Sequence, residues 1–187
     1  YEFTMANGYY KKGMGDTIAY FDMFFRRVPD GGGLAIMAGV EQLVDYLKKK
    51  YPGFYLVSST TKVLTEFQEC LREIQREDFQ YVVPDFRLNK MLDKWNTLSE
   101  GQKDKVEFLC NECCWFGCWD RKACYEEVSR KNLGEDGEED RCTAPNAKEG
   151  YRFSKAMKNP GFISVDDIKN IYLPMGFTNF KIEGRGL

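Results

Sequence analysis

Five of the seven cysteines fall within fifteen residues, in the stretch CNECCWFGCWDRKAC over residues 110–124. Thiols at that density have three uses. They are soft metal ligands once deprotonated, disulfide partners, or small apolar residues packed with Trp115, Phe116 and Trp119. No apolar run approaches the roughly 20 residues of a membrane span, and no signal-peptide pattern is seen. The sequence therefore predicts a cytoplasmic protein, where thiols stay reduced and clustered ones favour metal over pairing. Histidine is absent from all 187 residues. That excludes any imidazole base, ligand or phosphoryl acceptor, and with it Ser/His and Cys/His nucleophilic pairs. Cys70 sits in a helical pattern and is expected to be a buried small residue. Residues 134–140, GEDGEED, hold five carboxylates and two glycines. They read as a solvated loop; a cation site is the alternative, without an ordered ligand spacing behind it.

These residues need elements to hold them. Apolar residues make up 43% and charged residues 30%, ordinary for a globular chain with one good core or two small ones. The net charge of −2 carries no footprint for nucleic acid or an anionic membrane. Residues 1–13 place apolar side chains near helical spacing and predict a short amphipathic helix. Residues 17–28, TIAYFDMFFRRV, read as a strand, and residues 29–33, PDGGG, as a turn. Residues 34–39 read as a brief buried segment. Residues 40–50 read as a helix with Leu43, Val44 and Leu47 inward, ending in three lysines that suit the helix dipole.

From residue 51 short apolar runs alternate with helical patterns. FYLVS at 54–58 precedes a helix over 61–74. The run at 81–83 precedes a helix over 87–95. VEFL at 106–109 leads directly into the cysteines, and a helix over 165–172 precedes a fourth run at 179–182. Such alternation is the signature of βαβ units and a parallel sheet. The fold class is α/β: a small α+β N-terminal segment over residues 1–48, then an incomplete, TIM-like β/α half barrel over residues 49–187. Function in such barrels collects just after the C-terminal ends of strands. Glu183 and Arg185 stand there after the fourth run, and Asp85 and Arg87 after the second. Each pair either grips an anionic substrate or closes on itself as an ion pair. A half barrel exposes strand edges, so self-association is expected.

Over residues 1–46 the segments YEFTMANGYY, AYFDMFFRRVPDGGG and LAIMAGVEQLVDYL resemble the N-terminal segment of nicotinate phosphoribosyltransferases. The resemblance implies nicotinate and phosphoribosyl pyrophosphate as small-molecule substrates, ATP with Mg as cofactor, and nicotinate mononucleotide as product in NAD salvage. The tyrosine of the family's Y-x-x-T-M motif contacts nicotinate and matches Tyr1, where an aromatic face can stack on a pyridine ring; a core residue at a helix start is the alternative. Arg26, and Arg27 beside it, carry forked donors suited to a carboxylate or phosphate, or else end a solvated strand. The family's phosphoribosyl-binding barrel lies downstream of this segment, and nothing after residue 51 resembles it. The family also couples ATP through a phosphorylated histidine, which this chain lacks. The expectation is a fragment that does not catalyse the reaction as it stands.

Residues 51–187 resemble a different family, the collagenase-like peptidases known as U thirty-two. The matching residues are KIEGR at 181–185, the approach Ser164-Val165-Asp166-Asp167 with Gly176, and Asn111, Glu112, Cys114, Cys118 and Arg121 of an N-E-x-C-x-x-x-C-x-x-R pattern. This resemblance implies a [4Fe-4S] cluster on four thiolates, here Cys114, Cys118, Cys124 and Cys142, with tetrahedral zinc the alternative. Cys110 and Cys113 are possible substitutes. The two resemblances meet near residues 46–51 without a Pro/Gly/Ser linker, inside one helical pattern. The chain, which opens on Tyr1 without a Met, therefore reads as cut at both ends and fused, a chimera without activity of its own; a natural two-domain protein is the alternative.

Overall fold

The computed structural model describes residues 2–4, 35–38, 41–132, 142–145, 147 and 152–183. Its strands are short, three or four residues each, and every described pairing is parallel. Strands β1 (Glu2–Thr4), β2 (Ala35–Ala38), β3 (Tyr55–Ser58) and β4 (Phe79–Val82) form one sheet in chain order. Strands β5 (Glu107–Leu109) and β6 (Asn179–Lys181) form a second parallel pair. An isolated parallel bridge, Val82 to Val106, joins the two, and the Val82 N–H donates to the Lys105 carbonyl at 2.7 Å. The architecture is a small mixed α/β one with short helices. Its described strands do not close into a barrel.

Of the helix expected over residues 1–13, the described part, Glu2–Thr4, is instead extended, with Glu2 opposite Ala35 and Thr4 opposite Met37. A few apolar residues at helical spacing are a weak prior, and pairing with a neighbouring strand overrides it. Within the buried segment expected at 34–39, Ala35–Ala38 form the strand β2. The strand expected over 17–28, the turn over 29–33, and Tyr1, Arg26 and Arg185 all lie outside the described residues, as does the acidic run at 134–140.

Helix α1 (Glu41–Lys50) buries Val44 and Leu47 and ends in Lys48, Lys49 and Lys50, as its pattern predicts. The helix expected over 61–74 divides. Ser59 caps a 3₁₀ turn, Thr60–Lys62, by accepting from the Thr61 N–H at 3.2 Å. Val63 then takes a left-handed conformation, φ 54°, which ends the turn, and α2 (Phe67–Gln75) begins afresh. That helix buries Phe67, Cys70, Glu73 and Ile74, one face at i, i+3, i+6, i+7. The helix expected over 87–95 likewise divides, into a 3₁₀ turn at Phe86–Leu88 and α3 (Leu92–Trp95). A further short helix, α4 (Glu100–Lys103), leads into β5. After β5 come α5 (Arg121–Asn132), α6 (Phe153–Ala156) and α7 (Val165–Asp167), the last running on through a π-helical turn at Ile168–Tyr172. Ser164 and Asp167 start α7 with a reciprocal capping box.

The core is aromatic at its centre. Phe108 of β5 meets Trp95 at 5.1 Å, Phe177 at 5.1 Å and Tyr172 at 4.9 Å between centroids, all edge-to-face. Both polar tips are satisfied: Trp95 Nε1 donates to the Leu88 carbonyl at 2.7 Å, and the Tyr172 hydroxyl donates to the Asn89 carbonyl at 2.9 Å. Asn89, itself buried, donates to the carbonyls of Leu109 and Gly161 and so ties the loop after β4 to the end of β5.

Candidate functional site

The parallel direction puts the residues after β3, β4, β5 and β6 on one rim, and that rim is ionic. Asp85, shortly after the end of β4, is buried and accepts from the Arg87 N–H at 3.1 Å, a local turn that fixes its carboxylate. Arg87 Nη1 returns to both Asp85 oxygens at 3.0 and 3.1 Å. Arg121, at the start of α5, is only 2% exposed. Its Nη1 donates to Asp85 Oδ2 at 2.7 Å, and its Nη2 pairs with Glu112 Oε2. The guanidinium also lies over the rings of Phe86 and Tyr125, 5.0 and 5.1 Å from their centroids. Burial pushes the Tyr125 phenol up, so it stays neutral beside the ions.

Glu112 does double duty. Its second oxygen accepts from the Cys114 N–H at 2.8 Å and shapes the cysteine loop. Arg87 holds the same loop from the other side, donating to the carbonyls of Phe116, at 3.0 Å, and Cys118. Asn111 exchanges two hydrogen bonds with the backbone of Glu183, at 3.0 and 2.8 Å, and so brings the end of β6 to the end of β5. The donor atoms of Glu112, Cys113 and Glu183 lie within 4.8 Å of one another. Burial first, and then the Glu112 carboxylate, pushes Glu183 from the usual 4.5 up to about 8. Three carboxyl groups here face two guanidinium groups, and the surplus carboxyl keeps its proton at neutral pH. A neutral carboxylic acid beside a carboxylate can donate a proton or a hydrogen bond.

The structure brings Glu183 together with Glu112 and Arg121, and Asp85 with Arg87, as an ion pair that also reaches the cysteine loop. Cys114, Cys118 and Cys124 are partly buried and Cys142 is exposed. All seven cysteines are free. Among the described residues the Glu112–Cys113–Glu183 trio is the group of three donors within 4.8 Å, so no three of the proposed thiolates are that close. Tetrahedral zinc at a Zn–S distance of about 2.3 Å needs sulfurs within about 4 Å of each other, which this arrangement does not offer. A cubane cluster spaces its sulfurs more widely, and the trio does not bear on it. Burial pushes the Cys114 thiol up to about 12 and the Cys113 thiol up to about 11, with Glu112 adding to both. Cys70 is fully buried on α2, as expected, and is pushed up to about 12.

Sequence reasoning did not place Arg121 or Glu112 in a site; they entered as members of a pattern, not as partners across nine residues. A second buried group went unnoticed. Glu73 of α2 accepts from the Ser58 hydroxyl at 2.6 Å and from Lys62 at 2.5 Å, closing the end of β3. Only a glutamate on the apolar face of a helical pattern signalled it.

Comparison with known proteins bears on the other end of the chain. Residues 1–85 match the nicotinate phosphoribosyltransferase (NAPRTase) N-terminal domain family. The chain is similar to nicotinate phosphoribosyltransferase of Bacillus subtilis, 40% identical over 48 residues, covering 26% of this chain and 10% of that protein. It is similar to nicotinate phosphoribosyltransferase 2 of Arabidopsis thaliana, 38% identical over 71 residues, 38% of this chain and 12% of that protein. The human nicotinate phosphoribosyltransferase is 44% identical over 48 residues, 26% of this chain and 9% of that protein. The chain thus spans about a tenth of the length of these relatives. No solved structure matches. No helix among the described residues is long and apolar enough to cross a membrane.

Proposed function

We propose that residues 1–85 are the N-terminal region of a nicotinate phosphoribosyltransferase-type protein, and that this chain does not by itself join nicotinate to phosphoribosyl pyrophosphate. The family match over those residues carries the reading. Strands β1 to β4, in chain order and parallel, give that region an α/β frame on which a substrate loop can be mounted. Against turnover stand the absence of histidine and the small share of the relatives' length that is covered. Incubating the chain with nicotinate, phosphoribosyl pyrophosphate and MgATP tests the reading. The expected result is no nicotinate mononucleotide by chromatography and no heat of nicotinate binding. Steady formation of the mononucleotide overturns it.

A second reading concerns the rim. Cys114, Cys118, Cys124 and Cys142 as ligands of an iron–sulfur cluster are supported by the loop of β5, which carries two of them and is held at both ends by Glu112 and Arg87. Because burial keeps Cys114 protonated, loading would release protons and strengthen as pH rises. Anaerobic reconstitution with iron and sulfide tests this; a colourless product after desalting overturns it.

A further inference from the structure

A cleft of about 520 Å³ opens beside the ionic rim, between the cysteine loop and α6. One wall is aromatic: Trp115, 43% exposed, and Phe116, 36% exposed. The other wall is basic: Arg152, Lys155 and Lys158. No carboxylate is among the described residues lining it. Neither Arg152 nor Lys158 has a carboxylate partner among the described residues, whereas Arg87, Arg121 and Lys90 all do. Exposed rings on one wall, facing Arg152 and Lys158 without a carboxylate among the described residues on the other, are not what a folded surface needs for itself.

The walls are built rather than incidental. Asn159 donates to the Cys114 carbonyl at 2.8 Å and accepts from the Gly161 N–H at 2.9 Å, tying the basic wall to the cysteine loop. Phe116 rests edge-on against the buried Phe86, 5.8 Å between centroids, and its carbonyl is held by Arg87. Trp115 folds back over Gly117: a Cβ there would stand 2.9 Å from indole Cζ2. The glycine lets the ring, which lines the cleft, lie close along the loop.

We propose that this cleft binds a small aromatic phosphate, its ring on Trp115 and Phe116 and its dianion on Arg152, Lys155 and Lys158. Arg152 and Lys158 together favour a dianion over a singly charged carboxylate, and guanidinium suits phosphate by its forked donors. Stacking on an exposed indole tolerates many rings, so the ring's identity is set less tightly than the charge. The volume is within the range of small-molecule sites. The inference does not rest on the nicotinate reading, since residues 113–160 lie beyond the family match.

The test uses the full chain carrying Trp119→Phe, so that Trp115 is the exposed indole and Trp95 the buried one. Adenosine monophosphate, adenosine, inorganic phosphate and nicotinate are titrated separately against tryptophan fluorescence. The monophosphate should quench saturably, and the other three should bind at least about tenfold more weakly, as expected for losing a charge-assisted hydrogen bond or the ring. Arg152→Glu with Lys158→Glu should weaken the monophosphate by at least about tenfold too, with the far-ultraviolet circular dichroism unchanged. Trp115→Ala, followed by calorimetry, should do the same. Equal binding of adenosine or nicotinate, or an unaltered affinity in the double charge reversal, overturns the proposal.

Discussion

The centre of the fold and its rim are equally dry and chemically opposite. At the centre Trp95, Phe108, Tyr172 and Phe177 meet edge-to-face, with each polar tip spent on one backbone carbonyl. At the rim Asp85, Glu112 and Arg121 are buried as charges, each compensated by another. Apolar burial needs only shape and area, whereas buried ions must be matched in number and geometry to offset their desolvation. The centre explains why the chain folds. The rim explains why it folds with these particular residues facing each other.

Truncating the centre should have the largest effect. Trp95→Ala removes the ring shared by Phe67, Phe108 and Phe177; it is expected to cost about 4 to 5 kcal/mol in urea denaturation. Next comes Arg121→Met, which nearly keeps the volume, leaves the buried Glu112 without its cation and leaves Asp85 with Arg87 alone. A loss of about 3 kcal/mol is expected. Replacing all three rim ions by apolar residues should restore part of it, an outcome no truncation at the centre can imitate.

Smaller is the effect of pH. The folded protein holds a proton on Glu183 that the unfolded chain releases near 4.5. Stability from this group is therefore complete below about 4.5, falls as pH rises, and levels off above about 8. Glu183→Gln should flatten that slope in denaturation series at successive pH values; an unchanged slope would remove the shared proton from the account. Smallest is a difference in thiol reactivity. Cys113 and Cys114, pushed up to about 11 and 12, should alkylate more slowly with iodoacetamide at neutral pH than the exposed Cys142, as read by peptide mass spectrometry.

The strands of the second half were readable because each is a short apolar run between polar turns: Tyr55–Ser58, Phe79–Val82, Glu107–Leu109 and Asn179–Lys181 all lie within or one to two residues of the expected runs. Helix starts were less readable. Nothing in the pattern over 61–74 announces that a β-branched residue, Val63, turns left-handed and forces a restart at Phe67. The extended backbone at Glu2–Thr4 depends on a partner more than thirty positions away, which local spacing does not encode. At the rim the sequence marked Asp85, Arg87 and Glu183 by their position after apolar runs. It did not mark the partnership of Arg121 with Asp85 and Glu112, because that depends on the start of α5 returning to the residues that follow β4 and β5. The order β1-β2-β3-β4 also runs unbroken across residue 48, with two strands on either side.

The paired hydrogen bonds of Asn111 with Glu183 have one more implication. A side-chain amide there copies a peptide group, so the ladder between β5 and β6 gains a rung beyond its last backbone pair, Leu109 with Lys181. This rung is chemically keyed, since only a residue offering both a donor and an acceptor at that reach completes it. A slip of one position would turn the Glu183 carboxyl to the opposite face and leave Glu112 without its neighbour. One carboxamide thus bears both on the alignment of two strands and on the placing of one acid beside Glu112.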